Sequence, residues 1–121
     1  MTGNLEAFTV ERDANVLIVS PQGDSHGFRF ETVHYEYNLI HRMLADPDVV
    51  NLLIDLESVE FMGSIMINVL IRLTRVVTDR NDQVAMCSCS EQMKEILDSQ
   101  NLFRLWPYFE TRSEALASFE S

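Results

Sequence analysis

The chain has 121 residues, 46% of them hydrophobic, which suits one domain with a real core, is too short for two, and is too apolar for disorder. Nineteen acidic residues against nine basic ones give a net charge of −10, and Lys94 is the only lysine. Phosphate neutralisation needs clustered cations, so nucleic acid and anionic membrane surfaces are poor partners, whereas a protein with a basic face is allowed.

No apolar run approaches the length of a membrane span. The start, Met1-Thr2-Gly3-Asn4-Leu5-Glu6, lacks the basic region and apolar segment of a signal peptide. A cytoplasmic chain is expected.

Two strands are predicted first, Phe8-Thr9-Val10-Glu11 and Val16-Leu17-Ile18-Val19, joined as a hairpin by the polar turn Arg12-Asp13-Ala14-Asn15. Gly23-Asp24-Ser25-His26-Gly27 then breaks regular structure. From Phe30 to Leu44 the residues Phe30, Val33, Tyr37, Ile40 and Leu44 fall on one helical face, with Glu31, Glu36, Asn38 and Arg42 elsewhere, until Asp46-Pro47-Asp48 stops the helix. The run Leu52 to Leu56 is apolar on both faces, as in a strand covered on both sides.

A helix from Ser64 to about Arg80 follows, then a buried strand Val84-Ala85-Met86-Cys87-Ser88. Ser90 is placed to cap a helix whose Met93, Ile96 and Leu97 point inward, ending at Gln100-Asn101. Trp106-Pro107-Tyr108-Phe109 reads as a last short strand, with Trp106 and Tyr108 as core cover. Thr111-Arg112-Ser113-Glu114 reads as a capping box for a final helix through Leu116 and Phe119. Strands that alternate with helices after an opening hairpin give an α/β fold with a mixed, mostly parallel sheet and helices mainly on one side.

Cys87 and Cys89 are expected on one side of a strand as buried, inert thiols, since neighbouring strand positions are a poor disulfide geometry. His34 and His41 lie seven apart on one helix face and make an incomplete metal site, so no metal and no cofactor are expected. Asp55 and Glu57 could be an acid–base pair. Without a nucleophile, oxyanion site or glycine-rich phosphate loop they read as solvated loop residues, and the chain as no enzyme.

The most informative stretch is Val50 to Val69, where an apolar strand and a short loop deliver Ser64 to the start of a strongly apolar helix. A hydroxyl there can cap the helix, or accept a phosphate whose charge the helix N-terminus tolerates. Ile65, Met66, Ile67, Val69, Leu70, Ile71 and Leu73 surround most of the first turns, more than one packed face requires. Part of them, with Met62, is expected as an exposed patch for a partner or for a second copy of the chain.

The sequence resembles the STAS family, the domain of bacterial anti-sigma factor antagonists, over nearly its whole length. Leu53-Ile54-Asp55-Leu56, Val59-Glu60-Phe61-Met62 and Ser64 are similar to the family's strand and phosphoacceptor loop. Ser90, Ile96-Leu97, Leu102-Phe103 and Glu114-Ala115-Leu116 are similar to its C-terminal half. Gly63 stands where the family usually has Asp, Met66 where it has Gly, and Asn68 where a small residue is common; Gly63 could serve a tight turn with positive φ.

The resemblance implies a signalling module in transcription regulation. Ser64 would be the phosphoacceptor, and Met62, Gly63, Ile65, Met66, Ile67 and Asn68 would contact the partner. That partner would be an ATP-binding serine kinase doubling as an anti-sigma factor, with a serine phosphatase restoring the hydroxyl. A constitutive STAS scaffold or assembly subunit is the alternative, and a small nucleotide-binding protein or enzyme a weaker one.

Overall fold

The computed structural model describes residues 3–22, 30–59 and 62–119. They build a six-stranded sheet whose spatial order is the order of the chain: β1 (Gly3–Asn4), β2 (Phe8–Asp13), β3 (Val16–Pro21), β4 (Asn51–Asp55), β5 (Val84–Cys87) and β6 (Tyr108–Phe109). β1, β2 and β3 pair antiparallel, and β3 to β6 pair parallel. The parallel strands are linked through α1 (Phe30–Leu44), α2 (Ser64–Thr78) and α3 (Glu91–Ser99), the last followed by a 3-10 turn at Leu102–Arg104; α4 (Arg112–Ser118) comes after β6.

Crossovers of one hand between strands laid down in sequence must all fall on the same face of the sheet. Accordingly α1, α2 and α3 share one core with Phe8, Val10, Leu17, Val19, Leu52, Ile54, Val84 and Met86. The alternate strand residues, Val16, Ile18, Leu53, Ala85 and Cys87, face the other way, where α4 covers them with Ala115, Leu116 and Phe119. Among the described residues one face thus has three α-helices and the other a single helix of two turns.

α1 has the bounds the periodicity predicts, and Val33, Tyr37, Ile40 and Leu44 are buried. Glu36, expected on its outer side, is buried instead. Its two carboxylate oxygens accept the backbone N–H groups of Glu6 and Ala7, each at 2.9 Å, and so fasten the β1–β2 connection to the helix. A helical wheel places Glu36 beside the apolar stripe but does not reveal those two donors, which lie 30 and 29 residues away.

The hairpin turn narrows to Ala14-Asn15, because β2 runs on to Asp13 and Ala14 takes a left-handed φ of 53°. The caps at Ser90 and Thr111 form as predicted: Ser90 Oγ accepts the Met93 N–H at 3.1 Å, and Thr111 and Glu114 make the reciprocal bonds of a capping box.

The two cysteines do not share a face. β5 ends at Cys87, and Ser88 turns the chain at φ 63°, so Cys87 lies under α4 while Cys89 enters the core of the three-helix face. Trp106 is almost fully buried and donates its indole N–H to Thr74 Oγ1 at 2.9 Å. Tyr108 is half-buried, and its hydroxyl accepts the Cys89 N–H at 3.1 Å. The predicted break at 23–27 lies outside the described residues.

Candidate functional site

The segment between β4 and α2 is fixed at both ends by backbone and side-chain bonds. At its start Leu56 N–H reaches the Cys87 carbonyl at 3.0 Å, Glu57 N–H donates to Asp55 Oδ1 at 2.9 Å, and Val59 N–H returns to the Leu56 carbonyl at 3.1 Å. At its end the buried Met62 N–H donates to the thioether of Met93 on α3, 3.2 Å away. A donor that closely held keeps the residue two before Ser64 in place. Residues 60 and 61, part of the predicted loop motif, lie outside the described residues.

Gly63, not Ser64, is the N-cap. It is extended, with φ −79° and ψ 175°, makes no side-chain cap, and its carbonyl accepts the Ile67 N–H at 3.1 Å. Of the two roles open to Ser64, capping the helix is therefore not the one it takes, and Gly63 does not use the positive φ open to it. Ser64 is the first helical residue, and its exposed hydroxyl has no hydrogen-bond partner among the described residues. The N–H groups of the first turn lack intrahelical acceptors, as at any helix start. That turn also carries no acidic side chain of its own to set against the positive end of the dipole.

The helix behind it is more deeply packed than expected. Met62, Met66 and Ile67 are core residues, none more than 3% exposed. The predicted patch therefore loses these three, because the sheet and the flanking helices cover α2 on more than one side. What reaches solvent is Ser64, Ile65 (43% exposed) and Asn68, with Gly63 half-buried. Further along, Arg72 and Arg75 are exposed on the same side, and the Arg72 guanidinium lies 4.4 Å from the centroid of Tyr37 on α1. The hydrophobic pattern marks neither arginine; the signal for them in the sequence is the complete lack of Asp and Glu between 64 and 78.

Asp55 is not a solvated loop residue. Its side chain is 4% exposed, and Oδ2 accepts from Arg112 Nε at 2.8 Å; Arg112 also meets Glu11 at 3.0 Å. Burial alone would lower the Arg112 pKa, but its hydrogen bonds to Asp55 and Glu11 outweigh that and raise it. This node borders a cavity of about 410 Å³ lined by Thr9, Glu11, Ser20, Asp55, Glu57 and Arg112. Three carboxylates to one guanidinium already engaged by two of them make a poor cradle for nucleotide phosphates. His34 and His41 flank the Tyr37 ring, with centroids 6.1 and 5.8 Å from it; among the described residues no group of three His, Cys, Asp or Glu could hold a metal. Nor is any described helix long and apolar enough to cross a membrane.

Comparison with known proteins agrees with this architecture. A Thermotoga maritima protein solved as a candidate anti-sigma factor antagonist superposes with a TM-score of 0.80 at 19% identity, over 96% of this chain and 97% of its own. An anti-sigma-factor antagonist (STAS) domain protein of Planctomyces limnophilus gives 0.76 at 26% identity, over 94% and 98%. The Bacillus cell fate determinant SpoIIAA, in its phosphorylated form, gives 0.71 at 16% identity, over 93% and 98%. A search of curated protein sequences finds no significant match. The model of the STAS domain matches residues 7–115, nearly the whole chain, and the protein belongs to that family.

Proposed function

We propose that this chain is a regulatory protein-binding module, of the kind its anti-sigma factor antagonist relatives are named for, rather than an enzyme. It docks a serine kinase or anti-sigma-type partner with Ser64 and the exposed side of α2. The observation that carries the reading is the state of Ser64: exposed, without a hydrogen-bond partner among the described residues, and at the first position of a helix whose first turn is uncharged. A phosphate there meets first-turn N–H groups that lack intrahelical acceptors and the positive end of the dipole, so the fold accommodates it.

A partner closed over Ser64 and Ile65 would have to strip water from that dianion, which is costly without a matching cation. Phosphorylation then releases the partner without reshaping the domain. Mapping phosphate on the chain isolated from its own host, in growth and under stress and beside Ser64→Ala, tests this. A condition-dependent phosphate on Ser64, absent from the alanine protein, is the expected result. Ser64 unmodified in every condition would overturn the switch and leave a constitutive docking module.

A further inference from the structure

The charge on this protein is unevenly spread. α1 and α2 together hold three arginines against two carboxylates, one of them the buried Glu36, while the rest of the chain holds six cations against 17 carboxylates. On α2 itself the exposed stripe reads Ser64, Ile65, Asn68, Arg72, Arg75, ending at Asp79 just past the helix, all within about 100° of arc. Among the described residues Arg12, Arg80, Lys94 and Arg112 are each paired with a carboxylate, whereas Arg42, Arg72, Arg75 and Arg104 are not, and of these four Arg72 and Arg75 share the stripe with Ser64 and Ile65. Arg72 is instead braced over Tyr37, which holds its guanidinium in place before any partner arrives.

From this geometry we infer that the partner docked on α2 is a protein with an acidic face. Its carboxylates sit opposite Arg72 and Arg75, beside an apolar recess for Ile65. The inference rests on the docking role proposed above and names the chemistry of what docks. It reverses the expectation from net charge, which allows a basic partner. It also gives the phosphate a second effect. Ser64 lies about 12 Å along the helix from Arg72 and about 17 Å from Arg75. A phosphate adds about −1.5 to −2 charges and repels the part of that acidic face that lies over Ser64, while its effect at the arginines is weakened by screening over more than about 10 Å. Attraction and release thus come from one stripe, with opposite signs at its two ends.

The test installs a photo-crosslinking residue at Asn68 in the full chain, expressed in its own host, and locates the crosslink by mass spectrometry. The captured protein is then purified and titrated with the unmodified chain, Arg75→Glu, Arg72→Gln/Arg75→Gln and Arg72→Glu/Arg75→Glu. The expected result is a crosslink within an Asp- and Glu-rich surface and a loss of affinity of about tenfold or more on double reversal. Changing the partner's facing carboxylates to Lys should restore binding, and binding should weaken with salt for the unmodified chain only.

Arg75→Glu and the glutamine pair keep the result readable if reversal at Arg72 disturbs its packing on Tyr37. Unchanged affinity in all three variants, or a crosslink to a carboxylate-poor surface, overturns the acidic partner and leaves the docking role standing. A crosslink to a second copy of this chain, to nucleic acid or to lipid overturns it too. No crosslink at Asn68 under any condition removes the docking role itself.

Discussion

Replacing Ser64 by Ala and by Asp separates a capping serine from a phosphoacceptor at the first helical position. If Ser64 were the N-cap, the alanine protein would lose about 1 kcal/mol. Because Gly63 holds that place and the Ser64 hydroxyl has no partner among the described residues, Ser64→Ala should change stability by less than about 0.5 kcal/mol. Asp at the same position places a charge in a first turn that has none, and should stabilise by about 0.3–1 kcal/mol at low salt. A folded chain of 121 residues has an unfolding entropy of about 0.25 kcal/mol/K, so an Asp gain of about 0.5 kcal/mol raises Tm by about 2 °C.

Calorimetry and urea unfolding at low salt and at about 0.5 M NaCl measure this, with the Asp gain shrinking as the dipole is screened. Ser64→Lys should show the opposite sign. A loss of about 1 kcal/mol in Ser64→Ala would refute the cap assignment, and an Asp protein less stable than the Ala protein would refute the claim that the folded domain tolerates a phosphate there.

Thr74→Val keeps the shape of the side chain but leaves the Trp106 indole N–H buried and unpaired, which should cost about 1–3 kcal/mol in urea unfolding, whereas Thr74→Ser should lose less. A double-mutant cycle on Arg112→Met and Asp55→Asn should give a coupling of about 2 kcal/mol, below the range for fully buried pairs because Arg112 is one-third exposed; coupling under about 0.5 kcal/mol would reduce the node to a surface ion pair.

Burial pushes both thiols from the ordinary value near 9 up to about 11, so native Cys87 and Cys89 should alkylate slowly at pH 8 and fast in denaturant. The folded state keeps those protons after the unfolded chain releases them. Their contribution to stability is therefore complete below about pH 9 and is lost as pH rises from about 9 to 11, which a pH series of urea midpoints would detect.

Legibility in the sequence followed the range of the interaction. Local signals worked: the 3.6-residue stripe bounded α1, the Ser90 and Thr111 caps announced α3 and α4, and the resemblance placed Ser64 at the start of α2. The misreadings concerned side chains whose partners are far along the chain. Glu36 seemed exposed because its two donors belong to the β1–β2 connection, and Asp55 seemed solvated because its guanidinium lies 57 residues on. Met62, Met66 and Ile67 seemed surplus to one packed face because composition does not say how many neighbours surround a helix. The Cys87–Cys89 alternation failed on a single torsion, the left-handed Ser88, where a serine carries no more signal than any polar residue. Gly63 misled in the other direction, since glycine permits positive φ without requiring it.

The short helix α4 on the second face of the sheet has a practical consequence for handling this protein. Seven residues are too few to hold a helix by themselves, so α4 stays folded through its capping box, the Arg112 bridge and its seat on the sheet. Arg112 is even placed against the helix dipole, at the N-terminal end where a cation is unwelcome, and relies on Asp55 and Glu11 to stay there. A version of the chain cut before Thr111 would therefore not be a trimmed domain. It would bare a strip of Val16, Ile18, Leu53 and Ala85 across adjoining strands, the kind of surface on which chains aggregate or exchange segments.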